Sequence, residues 1–118
     1  MGFKGHIHYH CAPCIDDFLK SLDTSLSKNN FYRVVAEHID YEIHRNYRLY
    51  PCNYVALDLL RGNDDYESQY TADEKASFEK YLTAQLAKIS IPNKDETYLK
   101  ERLLTMYANP AINHLAAL

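Results

Sequence analysis

Residues 54–60 read YVALDLL, and Asp58 is the only charge among them. A helix that is apolar on every side has no face to offer water, so this stretch belongs inside a packed domain. A lone carboxylate there must be paired, hydrogen-bonded or protonated. The punctuation on either side fixes its limits. Pro51 disfavours helix at Tyr50 and suits a first helical turn, while Gly62 supplies a left-handed stop. The sequence therefore predicts one buried helix over about 51–61, and the rest of the chain has to cover it.

Periodicity supplies the cover. Asp16 and Asp17 open a short run, DDFLKSLDTSLS, with Phe18, Leu19, Leu22 and Leu26 as its stripe. Lys28-Asn29-Asn30 is a turn signal, with Asn30 as a candidate cap. Phe31, Val34, Val35, His38, Ile39, Ile43 and Tyr47 then keep helical spacing to about Leu49. Residues 63–70, NDDYESQY, are acidic and poor in apolar side chains, which predicts a loop. Thr71 and Glu74 have capping-box spacing ahead of a helix to about Ile89, and Asn93 with Glu96 repeats it ahead of Tyr98, Leu99, Leu103, Met106 and Tyr107. Asn109-Pro110 reads as a cap and first-turn proline for a last short helix.

At the front, His6, His8 and His10 alternate with Ile7, Tyr9 and Cys11, a period of two that predicts a short strand or extended arm ending at Pro13. A single strand is not stable alone, so it either pairs with something outside this chain or packs as an arm. The expected fold is thus mainly α: one domain over 1–118, with an arm over 1–15 and a bundle of about six helices over 16–118. Three glycines and four prolines in 118 residues agree with helix rather than many-turned β structure. Beginning on a strand suggests a segment of a longer protein, and whether Met1 is the natural start decides between part and whole.

The net charge of -3 gives no electrostatic footprint for nucleic acid. No apolar run reaches the roughly 20 residues of a membrane span, and no hydrophobic segment of a signal peptide opens the chain. Three cysteines without a secretion signal suggest reduced thiols in the cytoplasm.

The string H-x-H-x-H-C-x-x-C offers His6, His8, His10, Cys11 and Cys14 as metal donors. Imidazoles and thiolates bind zinc, yet a structural site draws a second pair from elsewhere in the chain, and no C-x-x-C or H-x-x-x-H follows. Solvent-facing strand histidines are the competing reading. A redox C-x-x-C normally opens a helix, and Pro13 lies between these two cysteines. His38 and His44, six apart, do not share a helix face; His38 reads as a core-edge residue. Asp58 is either a functional buried acid or a structural carboxylate bonded to a tyrosine, an arginine or a helix N-terminus. Glycine-rich phosphate loops, G-x-S-x-G and calcium-loop spacing are absent. No catalytic, cofactor or metal residue follows from the sequence, and no cofactor is expected.

Two longer strings, IHRNYRLYPCNYVALDLL and LLTMYANPAINHLAAL, resemble the C-terminal region of bacterial PlsC-type acyltransferases, the hemolysin-like glycerol-phosphate or lysophospholipid enzymes. GHIHYHCAPCID is similar to the last strand of their catalytic domain. The resemblance implies a parent that moves an acyl chain from a thioester to a lysolipid-type hydroxyl at the membrane surface, cytoplasmic or peripheral on the inner membrane. Its partner would be that catalytic domain. Such enzymes use a histidine and an aspartate separated by four residues. Here the positions five beyond His6, His8, His10, His38 and His44 are Cys11, Pro13, Ile15, Ile43 and Leu49, and only four residues follow His114. Without that base the chain alone is expected to turn nothing over. The rival expectations are a stand-alone helical interaction module, for which the eleven tyrosines are suited, and a metal-binding domain built on the first histidines and cysteines.

Overall fold

A computed structural model describes residues 5–118. Five α-helices are present among them: α1 (Asp16–Ser21), α2 (Lys28–Asn46), α3 (Pro51–Arg61), α4 (Ala72–Ala87) and α5 (Glu96–Ala116), with a 3-10 turn over Glu67–Gln69. The chain is mainly α, as its periodicity predicts. It divides into two units, residues 49–116 and the residues up to Arg48 together with the last two.

Residues 49–116 own the hydrophobic core. Val55, Ala56 and Leu57 of α3 are fully buried against Leu104, Ala108 and Ala111 of α5, and Phe78 and Leu82 of α4 complete the cluster. Alanines at the α3–α5 contact keep side-chain bulk out of the crossing, which lets the helix axes approach closely. Each fully buried Val, Leu or Phe contributes about 1.5–3 kcal/mol of transfer free energy.

The caps follow the sequence at α3. Pro51 opens it, and the Tyr50 N–H donates to Asn53 Oδ1 at 2.9 Å while the Asn53 N–H donates to the Tyr50 carbonyl at 2.9 Å. Gly62 closes it at φ 68°, and the N–H groups of Gly62 and Asn63 both donate to the Asp58 carbonyl. At α4 the Thr71 hydroxyl accepts the Glu74 N–H at 3.1 Å.

α5 departs from expectation at both predicted signals. Asp95, not Asn93, caps it: Asp95 Oδ1 accepts the Tyr98 N–H at 3.0 Å, while Asn93 takes a left-handed φ of 53° in the turn before. Pro110 starts no sixth helix, because α5 runs through it to Ala116. An interior proline removes the N–H that would reach the Met106 carbonyl and crowds that turn, at a cost of about 3 kcal/mol. Burial of Ala108 and Ala111 on α3 holds the helix together across it. Asn53 Nδ2 adds a 2.8 Å bond to the carbonyl of Tyr107, three residues ahead of the proline.

The other unit is thinner. α1 ends at Ser21 rather than running on to residue 27. Asp23 accepts both the N–H and the hydroxyl of Ser25, at 2.8 and 2.7 Å, and this local turn competes with helix. Those bonds hold the Asp23 carboxyl below its usual range. Ser27 caps α2 by accepting the Asn30 N–H at 3.3 Å, so Asn30 lies inside the first turn and is not the cap. α2 stops at Asn46, three residues before the expected Leu49, where Tyr47 turns extended. Phe18 of α1 stacks on His38 of α2, with ring centroids 3.7 Å apart and planes 10° from parallel.

Residues 5–14 form no strand, and none occurs among the described residues. A β ladder needs a second strand, so the alternation of His and apolar residues stays an irregular arm. No described residue up to Arg48 is buried.

Candidate functional site

The predicted donors of the front segment do not assemble. His6, His8, His10, Cys11 and Cys14 are all exposed, and the cysteines are free thiols. Among the described residues, no group of three or more His, Cys, Asp or Glu side chains stands close enough to hold a metal ion. His8 and His10 instead line an open pocket of about 330 Å³ with Pro13 and Ile15 of the arm and His38, Ile39 and Ile43 of α2. Its walls are largely apolar, and Glu42 and Asn46, which also line it, are joined by a 3.2 Å hydrogen bond.

Asp58 is the buried acid that the sequence singles out, and only 1% of it is exposed. Its carboxylate accepts the Tyr66 N–H at 3.1 and 3.3 Å and the Tyr70 hydroxyl at 2.8 Å. A tyrosine hydroxyl is among its partners, as the structural reading expects. The chemistry is that of a clasp. A carboxylate on the buried helix takes two donors from the acidic segment that follows and folds that segment back on α3. Burial and the Asp58 bond together push the Tyr70 hydroxyl up to about 12. A general base has to reach its proton across hydrogen-bonding distance, and Asp58 lines neither the pocket beside α2 nor the cleft of about 500 Å³ between α4 and α5.

No protein-family model, curated protein or solved structure matches this chain.

A second polar cluster escaped the sequence reading. Tyr81 and Tyr107 share a hydrogen bond between hydroxyls 2.7 Å apart, and Phe78 meets the Tyr107 ring edge-on with centroids 5.4 Å apart. Burial, then the bond to Tyr81, lifts the Tyr107 hydroxyl to about 12. Burial likewise raises the Cys52 thiol, which keeps it from acting as a thiolate nucleophile near neutral pH. The Tyr107 hydroxyl and the Cys52 thiol are thus held in their protonated forms at physiological pH. Asn53 also went unread, although its position three residues after Tyr50 is the N3 place from which a side chain reaches back to a cap. Its second bond, to Tyr107, lies 54 residues away and leaves no mark in local sequence.

Among the described residues no helix is long and apolar enough to cross a membrane.

Proposed function

We propose that this chain is a non-catalytic helical domain of a PlsC-type glycerolipid or lysophospholipid acyltransferase, acting beside a catalytic domain at a cytoplasmic membrane surface. The observation that carries the reading is where the resembling strings lie. One forms the end of α2 and α3 as far as Leu60, the other forms α5 from Leu103 onwards, and α3 and α5 build the core together. The buried polar side chains inside those strings are consumed by packing: Asn53 bridges to Tyr107, and Asp58 clasps Tyr66 and Tyr70. Resemblance carried by the core-forming helices α3 and α5 supports a supporting role, in which the domain braces its neighbour or shapes the acceptor side.

The test is an acyl-transfer assay with a thioester donor and a lysophospholipid or glycerol-phosphate acceptor. The purified chain should give no turnover, and the same residues following a PlsC-type catalytic domain should give an active enzyme. Turnover by the chain alone would overturn the reading.

A stand-alone interaction module is the second reading. It is favoured by the exposure of Ile7, Tyr9, Tyr32, Ile39, Tyr41 and Ile43, in a stretch up to Arg48 that has no buried side chain among its described residues. If removing residues 49–116 leaves the activity and stability of the joined enzyme unchanged, the module reading is preferred.

A further inference from the structure

We draw no further inference here: the strongest candidate, the open apolar pocket between the arm of residues 8–15 and helix α2, is an unpartnered groove, and nothing in the structure shows what covers it.

Discussion

Replacing Asp58 with alanine tests the clasp directly. The side chain accepts two donors, the Tyr66 N–H and the Tyr70 hydroxyl, from a position 1% exposed. Hydrogen bonds to a charged group contribute about 1.5–3 kcal/mol each, so their sum sets a ceiling near ~6 kcal/mol. Two effects reduce it. Tyr66 and Tyr70 are only half-buried, so the released donors regain water, and the variant no longer has to desolvate a carboxylate. The net loss should be about 2–4 kcal/mol. Asp58→Asn is the control. Its amide oxygen can still accept the Tyr66 N–H, and its NH₂ can donate to the Tyr70 oxygen, so the loss should fall to about 1 kcal/mol. Urea unfolding followed by far-UV circular dichroism reads both. With a slope of about 1–3 kcal/mol per molar, the alanine variant should lower the midpoint by ~1 M or more. A cycle with Tyr70→Phe should return a coupling of about 1 kcal/mol. If alanine costs under ~0.5 kcal/mol, or asparagine costs as much as alanine with no coupling to Tyr70, the carboxylate is not holding the segment.

Asn53→Ala should lower stability by about 1–3 kcal/mol in the same assay, because it removes the bonds that Asn53 makes to the Tyr107 carbonyl and the Tyr50 N–H. Gly62→Ala should cost about 1 kcal/mol: the added Cβ meets nothing within 4 Å, so only the left-handed backbone at φ 68° opposes it. Tyr70 and Tyr107 ionise near 12 when folded and near 10 when unfolded, so their contribution is intact below pH 10 and is lost as the pH rises from 10 towards 12. Absorbance titration at the phenolate band should show two late tyrosines, one of them missing in Tyr70→Phe and the other in Tyr107→Phe. A fragment of residues 49–116 should keep a cooperative unfolding transition close to that of the whole chain, whereas residues 1–48 alone should show little helix by circular dichroism.

How far the sequence could be read depended on the range of the deciding interaction. α3 was legible to its ends, because Pro51 and Gly62 act through their own backbone angles and the burial of Val55 to Asp58 follows from their composition. Thr71 was legible for the same reason. Pro110 misled, because local rules make it a starter and only the packing of Ala108 and Ala111 against a helix fifty residues earlier lets α5 continue. Asn30 misled because Ser27, Asn29 and Asn30 are all acceptable caps, and it is Ser27 whose hydroxyl accepts an N–H of the first turn. The front alternation shows the same limit. Period two describes a strand's faces but supplies no second strand, and residues 5–14 are assigned to no strand. At the candidate site, the carboxylate was visible as an anomaly inside an apolar run. Its partners, eight and twelve residues on, were hidden in a segment that composition describes only as polar.

The absence of buried side chains among the described residues before Leu49 has a kinetic consequence. Amide protons in α2 can swap for deuterium whenever that helix frays, an event that no buried side chain of α2 opposes. Those of α3 and the middle of α5 must wait for the core to come apart. The chain should therefore label in two waves, with the boundary falling near Tyr50.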